Sequence, residues 1–522
     1  MPVGSLVGEL VRGLSPASYI VFKDASGRVY AKNGSTGMIE YSDADASKVI
    51  QYALNMLANL GGGRLFIKGG TYTITNYITV PDNVVIEGEY TATKLIKPPE
   101  NIKSELGYGK IFDVSNRSNV VIRDLYIESS SQGVDDAGYS TILSYKSKYV
   151  ALERIYLKQR DDYGVVSGQS ARGVSFVDTI HYVVRNSKFI GTGVEFHGNW
   201  GLGLGGKYGI IDGNYFEGWG HNAIMGAPNE GIIVNNVFYN NYDDAIDPNA
   251  NYNFIVANNY FYADVKGAMY SVSLENQCYD VVIANNIVDG CAIAGIEVAN
   301  SWHVTIVGNI FRCVKYTPII VQQEDPNQPA PYDVVIVGNY FRSTEYLRGA
   351  IELNVKASRV LIEGNISYVA YNSGFVKIHD NTSVSDIIVR NNMAYSTQPW
   401  YNAPSVKFIM VGSGVNINNF IVEGNWLNTV TTDIVSGIIY RRNRGVNTNI
   451  LMENSGIATI PAGQTRVTVS HGLATTPTKF QITPLGQPPG KLWVENITST
   501  SFDIVTDTAP ASDLKVSWYA EV

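Results

Sequence analysis

The sequence predicts an all-β protein, most of it one parallel β-helix of about thirteen coils, with an N-terminal capping helix and a C-terminal β-sandwich module. Three observations carry this reading: an Asn-anchored pattern that recurs nine times, an amphipathic segment ahead of it, and a change of pattern near residue 456. At roughly 150 residues per domain the length alone would suggest three or four domains, but a repeat of this kind lets one solenoid account for most of the 522 residues.

The repeat reads GIIDGNYF at 209–216, GIIVNNVF at 231–238, FIVANNYF at 254–261, VVIANNIV at 281–288 and VTIVGNIF at 304–311. It continues as VVIVGNYF at 334–341, VLIEGNIS at 360–367, IIVRNNMA at 387–394 and FIVEGNWL at 420–427. Successive anchor Asn residues stand 22 to 33 positions apart, the length of one solenoid coil with variable loops. Three positions before each anchor stands Ile or Val, as an inward strand position prefers. Immediately before it stands Gly or Asn, the residues that most readily take positive φ, so a sharp bend is expected in every coil. The anchor Asn can then point inward and stack on its copies through its amide. Two positions later an apolar residue returns to the core, with Ser367 and Ala394 as exceptions. VIRDLYI at 121–127, ALERIYL at 151–157 and VVRNSKF at 183–189 extend the frame upstream, with Leu125, Ile155 and Ser187 in the ladder slot; ILMEN at 450–454 is expected to be a last coil. At ~4.8 Å per rung the rod would be roughly 60 Å long.

Open solenoid ends need caps. DASKVIQYALNMLANL at 45–60 is expected to be a capping helix, with Val49, Ala53, Leu54, Leu57 and Leu60 on one face. Before it, 18–41 reads as a β-hairpin unit turning at Ser26-Gly27 and Asn33-Gly34. Residues 1–44 therefore form an N-terminal extension, 45–455 the β-helix, and 456–522 a β-sandwich module of alternating strands such as TRVTVSH and LKVSWYAEV.

Composition narrows the partners. With 39 basic and 47 acidic residues and no Lys/Arg block, the footprint of a nucleic-acid binder is missing. No apolar run reaches the roughly 18 residues of a membrane span. Cys278, Cys291 and Cys313 form no CxxC pair and are read as buried core thiols. The opening MPVGSLVGELVRGLSPASY carries neither a basic n-region nor an apolar h-region, so no secretion signal is read there.

Candidate site residues follow from counting outward positions along the coils. GVEFHGN, AIMGAPN, AIDPNA, AMYSV, GIEVAN and AIELNV place Glu195, Met225, Asp247, Tyr270, Glu297 and Glu352 in one row. Acids alternate with uncharged residues over Glu195 to Glu297, which sets carboxylates ~9–10 Å apart. That is close to the spacing of an acid and a base admitting a water, as in inverting glycoside hydrolysis; alternation that merely avoids stacked like charges is the plainer alternative. The densest cluster is WGHNAIMGAPN at 219–229 with YDDAIDPN one coil later. There Asp243, Asp244, Asp247 and His221 should converge, with Glu195 as a further catalytic candidate, because crowded carboxylates raise one another's pKa and divide acid from base. His197, Trp200, Trp219, Tyr242, Tyr270, Glu297 and Lys266 are candidate sugar-binding residues. The alternative is that the DDAI turn merely caps backbone N–H groups. His303, His379 and His471 stand isolated and are taken as structural or solvated.

The segment DASKVIQYALNMLANLGGGRLFIKGGTYTITNYITVPDNVVIEG, residues 45–88, resembles the entry segment of the pectate-lyase-like superfamily of right-handed parallel β-helices. Its acidic cap, helix, GGG turn, G-T-Y strand and NVxIxG coil carry the likeness. The resemblance implies a right-handed coil and a polysaccharide or glycan partner, in an extracellular or virion-associated protein of polysaccharide-lyase, polygalacturonase or viral-tailspike type. HGL at 471–473, TPLGQPPGKLWVENITSTSFDI and the closing SWYAEV look like terminal modules of phage tail-fibre proteins. The pair Asp243-Asp244 resembles the DD motif of polygalacturonases, while N-T-D, G-H-G and R-I-K do not follow in that family's order. A glycoside hydrolase with paired carboxylates and no required cofactor is therefore expected. The alternatives are a Ca²⁺-assisted lyase, with Lys266 as base and Asp243, Asp244 and Asp264 as metal ligands, and a non-catalytic glycan-binding fibre, expected to be a homotrimer.

Overall fold

The computed structural model describes residues 17–98, 109–129, 140–159, 172–191, 200–264, 268–290, 294–312, 314, 316–342, 349–369, 374–396, 407–428, 430, 432–433, 435–445 and 453–522. Two compact units divide it, the first formed by 1–319 with 325–329 and the second by 320–324 with 330–522.

The first unit opens with strand Tyr19–Lys23, antiparallel to Val29–Asn33, which in turn pairs antiparallel with Ile39–Asp43. Tyr19–Lys23 also runs parallel to Gly63–Ile67 and so joins the hairpin unit to the coils. Between them lies the helix Ala46–Asn59, capped by Asp45, whose carboxylate accepts the Ser47 N–H. Val49, Ile50, Ala53, Leu54 and Leu57 form its buried face. Leu60 does not join them: it sits past the last turn at the C-cap and is 68% exposed, while Ile50 fills the place on the buried stripe. Gly62 then passes so close to Asn83 that a Cβ would meet its carbonyl oxygen at 2.4 Å, at a φ of +131° that side-chain-bearing residues avoid.

The coils that follow are parallel rungs. Val184, Ile211, Ile233, Val256, Ile283 and Ile306 stand in one column of register, as their β-branched character predicts. The bend before each anchor is left-handed, with φ of 68° at Gly213, 59° at Asn235, 57° at Asn258, 56° at Asn285 and 68° at Gly308. Each anchor then reaches the next one. Asn214 donates its backbone N–H and its Nδ2 to Asn236 Oδ1 at 2.9 and 3.0 Å, and the same pair of bonds links Asn236 to Asn259, Asn259 to Asn286 and Asn286 to Asn309. Ser187 enters the ladder as expected, its N–H donated to Asn214 Oδ1 at 3.0 Å. Beside this column Phe189, Phe216, Phe238 and Phe261 stack with ring centroids 4.8 to 5.1 Å apart.

In the upstream rungs the ladder slot is apolar, Leu125 pairing with Ile155, and a charged column runs beside it. Glu87 is 4% exposed and is held by Arg64 and Arg123, and Arg123 faces Glu153, itself 2% exposed, in the next rung. Removing one member of a buried ionic cluster leaves its partners uncompensated. Glu87→Ala should therefore cost about 3 kcal/mol or more, read as a lowered thermal melting midpoint, whereas Glu217→Ala, on a half-exposed strand end, should leave it nearly unchanged.

The second unit repeats the scheme. Strands Tyr332–Val337, Lys356–Glu363, Ser383–Arg390, Asn416–Glu423 and Ile438–Arg441 are parallel, and Asn339, Asn365, Asn392, Asn425 and Asn443 form its ladder. The last described rung is thus Ile438–Arg441 with anchor Asn443, not ILMEN. Residues 450–452 lie outside the described residues, and Glu453 already begins the strand Glu453–Ile460, antiparallel to Leu514–Glu521. That strand belongs to one of two three-stranded antiparallel sheets packed as a sandwich around Ile460, Phe502, Ile504, Val516 and Trp518.

The three isolated histidines all have partners: His303 pairs with Asp280 at 2.9 Å and His379 with the buried Glu352 at 2.8 Å, while His471 is buried and accepts the Leu473 N–H. Cys278 is fully buried, and burial pushes its thiol up to about 12, in keeping with a core thiol; Cys291 and Cys313 lie outside the described residues. Among the described residues no helix is long and apolar enough to cross a membrane.

Candidate functional site

Strands Trp200–Leu204, Ile224–Gly226, Asp243–Asp247, Ala268–Leu274 and Ala294–Ala299 are successive parallel rungs of the first unit. Gly203, Met225 and Asp247 stack in register. Ile246 pairs with Val272, which puts Asp247 beside Ser273, and Ser273 pairs with Glu297. Tyr270 therefore does not occupy the row expected of it. It pairs with Asp244, because the chain slips register between Asp243 and Asp244 and strand Ala268–Leu274 is longer than its neighbour. Counting back from the Asn anchors contains this answer: Asp247 lies 12 residues before Asn259 and Glu297 12 before Asn309, whereas Tyr270 lies 16 before Asn286 and Ser273 13.

Asp243 enters its strand in the left-handed region at φ 48°, which separates its side chain from that of Asp244. His221, one coil earlier, donates from Nε2 to Asp243 Oδ2 at 2.6 Å. Its Nδ1 accepts the indole N–H of Trp200 at 3.0 Å. An indole N–H only donates, so Nδ1 must present a lone pair and His221 carries its proton on Nε2. Arg172 stacks over Trp200 at 4.2 Å, which fixes the indole from the other side. His221 and Asp243 remain about one-fifth exposed and form the open side of the cluster.

Below them lie two buried acids. Asp244 is 5% exposed and accepts the Tyr270 N–H at 3.2 Å; burial, with Asp243 and Asp247 as neighbours, drives its carboxyl well above the usual range. Asp247 is 7% exposed and accepts from Asn222 Nδ2 at 2.7 Å, while its Oδ1 is buried without a hydrogen-bond partner. Burial, then the charge of Glu275, pushes Asp247 up to about 7. Carboxylate oxygens of Asp244, Asp247 and Glu275 lie within 4.8 Å of one another. Asn222 and Glu275 were not legible as site residues. Asn222 directly follows His221, and Glu275 follows from the corrected register, which bridges it to Asn249.

Other expectations need correction. Trp219 is fully buried: its Nε1 donates to the Phe189 carbonyl, and its ring fills space left by Gly201, where a Cβ would come within 3.0 Å of it. It is core and offers no face to a sugar. Glu297 is 1% exposed and accepts the Ser273 hydroxyl at 2.5 Å, so it lies beneath the surface instead of lining a groove. Asp264 is exposed and, like Asp243, stands outside the Asp244–Asp247–Glu275 group, so the ligand set expected for a lyase is not the one assembled. Tyr242 and Tyr270 are partly buried beside Asp243 and Asp244. Glu195, His197 and Lys266 lie outside the described residues.

The family described as "Right handed beta helix region" matches residues 163–311, which include this site. Among solved structures, the chain is similar to a mutant tailspike protein of E. coli bacteriophage HK620 in complex with a pentasaccharide, at 12% identity and a TM-score of 0.56, covering 91% of this chain and 90% of that one. The tailspike of Pseudomonas phage phi297 matches at 10% identity and a TM-score of 0.49, covering 91% and 92%. A family 28 exopolygalacturonase of Yersinia enterocolitica matches at 13% identity and 0.37, covering 78% and 84%. No curated protein sequence matches the chain.

Proposed function

We propose that this chain, a right-handed parallel β-helix, hydrolyses glycosidic bonds of a polysaccharide at the Asp243–Asp247 corner. The observation that carries the reading is the division of carboxyl groups there. Asp247, pushed up to about 7 and buried against Asp244, can hold a proton at neutral pH, whereas Asp243 sits on the open side with His221 Nε2–H donated to it. Asp244 and Asp247 are too close to admit a water between them and so act as one proton-sharing unit, the general acid toward the leaving-group oxygen. Asp243, oriented by His221 and through it by Trp200, is the base that activates water. Tyr242, Tyr270 and Trp200 are the aromatic residues we assign to sugar contact. The HK620 tailspike, whose fold this chain shares, is solved with a pentasaccharide, which supports a glycan as partner and an extracellular or virion-borne setting. A homotrimer belongs to the same reading and is tested by mass measurement in solution.

The test is a screen of neutral and uronate polysaccharides for new reducing ends and for absorbance of unsaturated product. Hydrolysis gives reducing ends without that absorbance. Unsaturated product would transfer the reaction to β-elimination, and glycan binding without any product would leave a receptor-binding fibre.

A further inference from the structure

The geometry points to a divalent-cation site, of the Ca²⁺ type, formed by Asp244, Asp247 and Glu275. Three carboxylate oxygens from two adjacent rungs lie within 4.8 Å of one another. Oxygens no farther apart than this can share one ion at the ~2.4 Å of Ca²⁺–O ligation, and a site built of several protein oxygens suits Ca²⁺ better than Mg²⁺, which keeps most of its waters. Two further atoms point to a ligand independently of the acidic cluster. Asp247 is 7% exposed and its Oδ1 has no hydrogen-bond partner. Asn222, fully buried against Asp247, likewise leaves its Oδ1 without a donor. Buried acceptors in native proteins are satisfied with few exceptions, so two orphaned oxygens beside three crowded carboxylates call for a positively charged occupant. All of these groups are hard oxygen donors, which suit Ca²⁺ over softer transition metals. Glu275, the more exposed member, stands on the side from which an ion would enter. The cation would take up oxygens that the hydrolase reading needs protonated, so cation-loaded protein is the form in which Asp247 cannot serve as acid.

Binding is read without any substrate, so it stands or falls separately from hydrolysis. After treatment with chelator, millimolar Ca²⁺ should raise the melting temperature of the full chain by a few degrees, Mg²⁺ should raise it less, and renewed chelation should reverse the change. Glu275→Gln should abolish the Ca²⁺ shift while keeping the β-rich circular dichroism spectrum. Where that variant does not fold, Tb³⁺ replaces it as the probe on the wild-type chain. One equivalent should bind, with emission sensitised by the neighbouring Tyr270, and Ca²⁺ should displace it. A melting temperature indifferent to Ca²⁺, a shift that survives Glu275→Gln, or Tb³⁺ emission that Ca²⁺ does not displace overturns the site.

Discussion

Asp247→Asn is expected to lower polysaccharide cleavage by about 10³-fold, the order contributed by a positioned general acid, and at the same time to make the protein more stable above neutral pH. The substitution keeps the shape of the side chain and leaves an oxygen to accept from Asn222, so the fold has no steric reason to change. What it removes is a proton that the folded state holds too tightly. In the unfolded chain Asp247 titrates near 3.8, and in the folded one near 7. Between those values the folded state binds the proton and the unfolded state does not, so the wild-type chain loses stability as pH rises from about 4 through 7. The loss is on the order of 4 kcal/mol once both forms are ionised. An amide cannot ionise and escapes it. Melting midpoints in chelator-containing buffer should therefore diverge with pH: similar near pH 4, and higher for Asp247→Asn near pH 8. The wild-type rate should instead fall as pH rises through about 7, where the folded-state acid loses its proton. An Asp247→Asn chain that cleaves at the wild-type rate ends the assignment of Asp247 as acid, and parallel melting curves at both pH values would remove the physical basis for it.

The parts of the molecule that were legible in the sequence are those where one residue does one local job. A residue before each anchor must take positive φ, so Gly or Asn stands there, and the coils could be counted from that alone. The same rule explains the coil that was missed. In IIYRRNRG the slot before Asn443 holds Arg442, which adopts φ 52° because the stacked rungs impose it, and a pattern built on Gly and Asn passes over it. Upstream, Asp124 and Arg154 take the same left-handed turn and lock it with an ion pair across the rungs at 2.6 Å. The site was half legible for a related reason. Asp243, Asp244, Asp247 and His221 are brought together because they sit at fixed offsets within two adjacent coils. Glu275 and Tyr270 depend on a slip of register between strands, which shows only when offsets to the anchors of neighbouring coils are compared and not within either segment alone. Burial was the other blind spot: Trp219 and a sugar-stacking Trp have the same local sequence, and only the two glycines that make room for its ring, Gly173 and Gly201, mark it as core.

Asn259→Ala should be among the most destabilising single changes in the first unit, at about 3–5 kcal/mol, although it removes no charge and no large apolar group. Asn259 is 2% exposed and its side chain serves both neighbours at once. Its Oδ1 accepts the Asn236 N–H at 2.9 Å and Asn236 Nδ2 at 3.0 Å, and its Nδ2 donates to the Ile233 carbonyl and to Asn286 Oδ1, each at 3.0 Å. Truncation leaves the Asn236 N–H and the Ile233 carbonyl without these partners in a place where water cannot replace them, and each such loss costs roughly 1–3 kcal/mol. The void beside the Phe238–Phe261 stack adds to it. Asn259→Asp, which keeps the acceptor but loses the donor and introduces a charge, should be no milder. Asn253, an exposed residue in the same coil, has none of these duties but stands at φ 54°, so Asn253→Ala should cost only the roughly 1 kcal/mol of a left-handed Ala. The decisive comparison is the denaturant midpoint of these variants measured together. Equal midpoints for Asn259→Ala and Asn253→Ala would mean that the ladder records the packing of the coils without supporting it. The expected gap of several kcal/mol would mean that the amide column, rung by rung, is what keeps the neighbouring carboxylates in register.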